Sequence, residues 1–209
     1  SYLEIVLCPL RTRTMLRHLL IILSYFALTN LFTQCTTETK PGIALPTKTF
    51  RAGDIVFRRG EGLTSEFVLY NDPHGNYSHV GMFVHTDHGL MIVHAVPGAH
   101  PTQKGTDIVR IETISEFFAP QNATRGAVMR LPLDSIQRIS LSQLALNKVG
   151  TDFDHQYNLQ DTTQLYCTEL LQHLYQKVGI NLAEERITTI NIPGLHTKVI
   201  MPADIYANK

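Results

Sequence analysis

The sequence predicts an α+β domain in which an antiparallel sheet packs against helices. Three observations predict it: a hairpin signal from Ser78 to Val96, two amphipathic helical stretches at 134–149 and 164–178, and several short strand-like runs around them. The chain has 209 residues, 44% of them hydrophobic, which suffices for one core and a targeting segment.

The first 35 residues differ from the rest. Arg11, Arg13 and Arg17 precede an apolar run from Leu19 to Phe32, broken by Ser24, Thr29 and Asn30. The run falls short of the roughly 20 residues that a membrane-spanning helix needs. A basic flank, a short apolar core and polar residues beyond it form the pattern of a secretory signal over residues 1–35, with Met15 as its natural start. An N-terminal membrane anchor is the alternative. Cys35 closes the run, as the lipidated cysteine of a bacterial lipoprotein or as a neighbour of the cleavage site. Leu31, Phe32, Thr33 and Gln34 depart from the small residues usual before a lipidated cysteine. Lipidation at Cys35 would tie the chain to the membrane surface without spanning it.

Residues 36–47, polar with two prolines and a glycine, read as a linker, and the globular domain begins at Lys48. Thr49–Phe57 reads as a strand. Glu61–Tyr70 is weakly helical, with Leu63, Phe67 and Tyr70 on one stripe. Residues 71–76 form a turn by composition. Ser78–His85 and Leu90–Val96 are strands joined at Asp87-His88-Gly89. Ile108–Ile111 is a short strand, Thr113–Phe118 a helical turn and Gly126–Leu131 another strand. Asp134 caps a helix to Val149 with Ile136, Ile139, Leu144 and Ala145 as its apolar stripe. The second helix runs from Gln164 to Val178, capped by Thr162 or Thr163 and ended by Gly179. Ile187–Ile192 and Thr197–Met201 are expected to close the sheet.

Charge excludes one class of function. Eighteen basic residues balance eighteen acidic ones. Without Arg11, Arg13, Arg17 and Glu4 the mature chain carries 15 basic and 17 acidic residues, with no basic cluster to hold nucleic acid. The three cysteines are Cys8, Cys35 and Cys167. The first two belong to the targeting segment, so Cys167 would be an unpaired thiol in an exported domain.

Cys167 lies in or near the first turn of the second helix. The partial positive charge and free N–H groups there favour a thiolate, and the same amides suit an oxyanion. Leu170, Leu171, Leu174 and Val178 share its helical spacing, so a buried core cysteine is the competing reading. In the strand NYSHVGMFV, Val80, Met82 and Val84 occupy one face, and His79, Gly81 and Phe83 the other. With the turn centred on Asp87-His88, Phe83 faces Ile92 and Gly81 faces His94. His79 and His94 then share a face as diagonal neighbours about 5–8 Å apart. Nucleophile, base and orienting group are thereby available as Cys167, His79 and His94. Six histidines lie between His74 and His100, but no HExxH or paired CxxC accompanies them, so no metal and no cofactor is expected.

GDIVF (53–57), YSHVGMFV (77–84), HAVPG (94–98) and YCTELL (166–171) occur in an order that resembles the permuted papain-like amidases of the YaeF/YiiX type, within the NlpC-like papain superfamily. In this permuted group the histidine precedes the cysteine, as here. The resemblance spans roughly residues 50–205. It implies a circularly permuted papain-like fold, Cys167 as nucleophile, His79 as general base and His94 at the third polar position, where many relatives carry glutamate. Tyr166 and Ser78 become candidate substrate contacts, and Asp54 of the GD motif a structural contact at the start of a strand. It further implies an envelope amidase or peptidase acting on cell-wall peptides or N-acyl amides through an acyl-enzyme. A lipid-directed acyltransferase or thioesterase and a non-catalytic binding module are the alternatives. Specificity is expected in the loops 58–76 and 97–107.

Overall fold

The structure, a computed structural model, describes residue 43 and residues 49–72, 74–97, 107–184, 186–192 and 194–206. All of them belong to one compact unit, Lys40–Lys209. The expected signal segment, Cys35 as the expected lipidation site, most of the expected linker and residues 98–106 lie outside the described residues.

Five antiparallel strands form the main sheet: β1 (Ile55–Arg59), β2 (His79–Thr86), β3 (Gly89–Val96), β4 (Ile108–Glu112) and β5 (Arg125–Met129), in the order β4-β3-β2-β1-β5. The α+β class expected from the sequence is the class found. The β2–β3 register pairs Met82 with Val93 and Phe83 with Ile92. The two-residue turn at Asp87-His88 enforces it, and Gly89 leaves the turn at φ 98°, a conformation that favours glycine.

The two faces of the sheet are buried differently. Ile55, Phe57, Val80, Met82, Val84, Val93 and Ala95 join the large core. The alternate residues Val56, Phe83 and Ile92 pack with Phe117 and Phe118 in a smaller cluster. Phe117 comes from the one-turn helix α2 (Ile114–Phe117), whose cap Thr113 accepts the Glu116 N–H. Before it in the chain, α1 (Leu63–Asn71) follows β1; α3 (Ser135–Leu146) and α4 (Cys167–Gln176) lie beyond β5.

Several sequence expectations need correction. β1 starts at Ile55, not Thr49, because Gly53 turns the chain with φ 80° and Asp54 accepts the Arg51 N–H. Only part of the α1 stripe meets the core: Phe67 packs against it, whereas Leu63 is 91% and Tyr70 82% exposed, and the helix buries no residue completely. In α3 the face is rotated; Leu141, Ser142 and Ala145 are buried whereas Ile136 and Ile139 are exposed. Helical spacing alone does not say which of two apolar arcs meets the sheet. The helix expected from Gln164, α4, begins at Cys167, three residues later than expected, because Thr163 spends its N–H and hydroxyl on Asp161 in a local turn. The tail strands, β6 (Thr188–Ile192) and β7 (Leu195–Val199), pair with each other in a separate two-stranded sheet and do not extend the main one. A final short helix, α5 (Pro202–Tyr206), follows them.

Candidate active site

α4 carries the nucleophile candidate at its first residue. Its N-cap, Tyr166, is extended (φ −94°, ψ 172°), and the Glu169 carboxyl accepts the Tyr166 N–H at 3.3 Å. Leu170, Leu171, Leu174 and Tyr175 anchor the helix in the core, and Tyr175 donates its hydroxyl to Gly53 O. The Thr168 hydroxyl donates to Ile200 O at 2.6 Å, and Ile200 N–H donates to Tyr166 Oη at 3.0 Å. The start of the helix is thus held from both sides, and Cys167 is half-buried in a cleft it shares with His79.

His79 opens β2 and is 8% exposed. Its Nε2 lies 2.8 Å from His94 Nδ1 on the neighbouring strand. Gly81 permits this approach: a Cβ there would lie 3.1 Å from His94 Cβ and 2.8 Å from Ile92 Cγ2. On its other side His94 Nε2 lies 3.0 Å from Glu112 Oε2 at the end of β4. That contact is off the ideal hydrogen-bond axis. Arg110 Nη1 lies 3.7 Å from the second Glu112 oxygen. Phe117 closes the pair of rings, 5.8 Å from the His79 ring and 5.0 Å from that of His94.

Burial sets the protonation states. His94 is driven down to about 4 by desolvation, against the pull of Glu112, so it is neutral at pH 7. His79 is held well below the ordinary imidazole value by burial and then by the charge of Arg58. Burial would raise Glu112, but its contact with His94 and the nearby cations hold it below the usual range, so it is ionised. One tautomer pattern then fits. Glu112 faces the His94 Nε2–H, His94 Nδ1 accepts the His79 Nε2–H, and His79 Nδ1 keeps its lone pair.

Cys167 departs from expectation. Burial pushes its thiol up to about 11, despite the N–H groups of Val80, Thr168 and Cys167 and the charge of Arg58. The helix end alone would favour a thiolate. Desolvation outweighs it here, so the resting pair is neutral thiol and neutral imidazole.

The remaining predicted residues divide. Ser78 lines the cleft, but its hydroxyl accepts the Gly60 N–H and donates to Ser65 Oγ. Tyr166 presents ring surface to the cleft while its hydroxyl holds Ile200. Asp54 is fully buried and pairs with the exposed Arg130 and the part-buried Arg138. Three site residues escaped the sequence reading. Glu112 was lost because β4 was expected to end at Ile111, one residue short; strand alternation places it beyond Arg110, the register partner of His94. Arg58 is the partner of His79 on β1. Tyr157, with φ 54°, sits in a loop whose N–H groups are gathered by the Asp154 carboxylate, and its ring lines the cleft. No periodic signal marks such a loop residue.

The cleft is narrow, with a volume of about 50 Å³, partly open to solvent, and its wall is mostly apolar, with Phe67, Val68, Phe153, Ile190 and Met201. Residues 49–193 match the family described as the permuted papain-like amidase enzyme YaeF/YiiX. The chain belongs to this family. It is therefore a papain-like hydrolase of the amidase and peptidase type. Among solved structures it is similar to one described as the metalloprotein yiiX of Escherichia coli, with 20% identity and a TM-score of 0.61. The match covers 75% of this chain and 91% of that one, and it supports the shared fold. No curated protein matches the chain. Among the described residues no group of three or more His, Cys, Asp or Glu side chains is placed to hold a metal ion, and His79 and His94 already turn ring nitrogens on each other. The described residues therefore do not fit a metal centre.

Proposed function

We propose that this protein is a cysteine amidase of the bacterial envelope, in which Cys167 attacks the carbonyl carbon and His79 is general base and then general acid. As sulfur bonds to carbon, the thiol proton passes to His79 Nδ1. The tetrahedral intermediate collapses by breaking the C–N bond, and the leaving amine takes that proton. Water, deprotonated by His79, then cleaves the thioester and restores the thiol. His94 and Glu112 act through His79: they fix its tautomer and stabilise the imidazolium formed in each half-reaction. The first-turn N–H groups of α4 suit the oxyanion.

The observation that supports this reading is the chain of side chains from Glu112 through His94 to His79, ending in a cleft shared with an unpaired cysteine at a helix N-terminus. Cell-wall peptides and N-acyl amides are the proposed substrates. The apolar cleft wall keeps a second reading in play, transfer or hydrolysis of a lipid acyl group on the same thioester. Export, with a lipid anchor at Cys35, completes the proposal. Assays of wild type, Cys167→Ala and His79→Ala against N-acyl amides and peptidoglycan fragments test it. Turnover of either substrate class should vanish in both variants; undiminished turnover by Cys167→Ala would overturn the reading. Acyl transfer without amide cleavage would select the second reading.

A further inference from the structure

A second cleft adjoins the first at His79. The two clefts share Thr64, Ser78, His79 and Pro97, but Cys167 lines only the apolar one. The second is the more polar of the two, and Arg58, Arg110, Glu61 and Glu112 all line it. Arg58 is only 9% exposed. Its Nη1 donates to Phe117 O at 2.8 Å, and its guanidinium carbon lies 4.5 Å from the centre of the Phe117 ring. Those contacts leave Nε and Nη2 without a hydrogen-bond partner among the described residues. No described carboxylate lies within ion-pair reach of Arg58; Glu112, the nearby acid, is engaged with His94 and Arg110.

A buried guanidinium with no direct ion pair is costly unless a ligand completes it, and Glu112, which lines the same cleft, acts on Arg58 only through longer-range charge. Desolvation lowers Arg58 to about 10, with the charge of Glu112 acting in the opposite direction. The fork geometry of the free N–H groups matches a carboxylate. The proposed chemistry supplies the polarity of binding. The acyl group must sit where Cys167 attacks, in the apolar cleft. The leaving amine must lie against His79, which protonates it, and so on the Arg58 side.

We propose that Arg58 recognises a carboxylate on the amine portion of the substrate, so that the substrates are N-acyl amino acids, or peptides with an apolar acyl side and a nearby free carboxylate. This rests on the amidase reading for its orientation, whereas anion recognition by Arg58 can be measured without turnover.

The probes are N-octanoylglycine and its neutral carboxamide, N-octanoylglycinamide. Calorimetry with the full-chain Cys167→Ala protein should find the carboxylate bound about 10- to 100-fold more tightly. Adding Arg58→Met should reduce that preference to less than about threefold, leaving the affinity for the carboxamide unchanged, and Arg58→Lys should keep part of it. Equal affinities in the Arg58 background, absence of saturable carboxylate binding, or a preference that survives Arg58→Met would each overturn the proposal. Equal loss of both ligands in Arg58→Met would show a structural role only and overturn it as well. If Arg58→Met does not fold, the Arg58 and Arg58→Lys proteins decide. Selective carboxylate binding without turnover of either compound by wild type would sink the amidase reading and leave the subsite standing. Equal turnover of both would do the reverse.

Discussion

Two buried polar clusters flank opposite ends of the same stretch of sheet, and they are built on opposite principles. Asp54 is saturated. One carboxylate oxygen accepts the Arg51 N–H, and both are engaged by Arg130, with Arg138 3.8 Å away. The His79–His94–Glu112 chain is unsaturated. It holds one short contact, one bent one, and a ring nitrogen left over at a cleft. A saturated network holds a strand start in place and has nothing further to offer a ligand. An unsaturated one retains a lone pair, which catalysis needs, and tolerates desolvation that a purely structural cluster would not.

The largest expected effect tests the reactive cluster. His79→Ala should lower kcat/KM on the amide substrates by about a thousandfold or more, with a loss of only about 1–3 kcal/mol of stability, since buried His94 Nδ1 is left without its donor. A large loss of stability with only modest loss of activity would reverse the roles assigned to the two clusters. Asp54→Asn should do the opposite: about 2–4 kcal/mol of stability lost in urea unfolding, with activity per folded molecule retained.

Acid should then unfold the protein through the reactive cluster. His94 binds a proton near 6.5 when unfolded but only near 4 when folded. Stability is therefore complete above about pH 6.5 and declines as the pH falls towards 4, by about 3 kcal/mol from this group. The urea midpoint measured from pH 7 to pH 4 should follow that window, and His94→Gln should reduce its slope, with His79 supplying the remainder.

Glu112→Gln comes next. The amide keeps the shape but loses the charge that stabilises the imidazolium, so kcat should fall about 10- to 100-fold with KM little changed. An equal rise in KM would instead mark Glu112 as a substrate contact. Gly81→Ala carries the smallest effect. Its methyl would press on Ile92 and His94, costing about 1–3 kcal/mol, and the displaced His94 ring should lower kcat as well. A further check concerns the thiol. Its iodoacetamide labelling rate should still be rising above pH 9, because burial holds Cys167 near 11.

Much of this site was legible in the sequence, and the part that was not has a physical explanation. Alternation in a strand and a two-residue turn determine which residues share a face, so the pairing of His79 with His94 followed from YSHVGMFV and the position of Asp87-His88. The α+β class, the helix bearing Cys167 and the family likewise follow from local patterns and motif order. Which face of α3 meets the core, where β6 and β7 dock, and how Arg58 and Glu112 come to flank the histidines do not. Those outcomes depend on strands paired across the sheet and on the α2 turn that brings Phe117 over the rings, contacts between residues far apart in the chain. The protonation states were decided there too. A helix end in isolation argues for a thiolate, but only the tertiary structure sets how much water is excluded, and exclusion of water is the larger effect at Cys167.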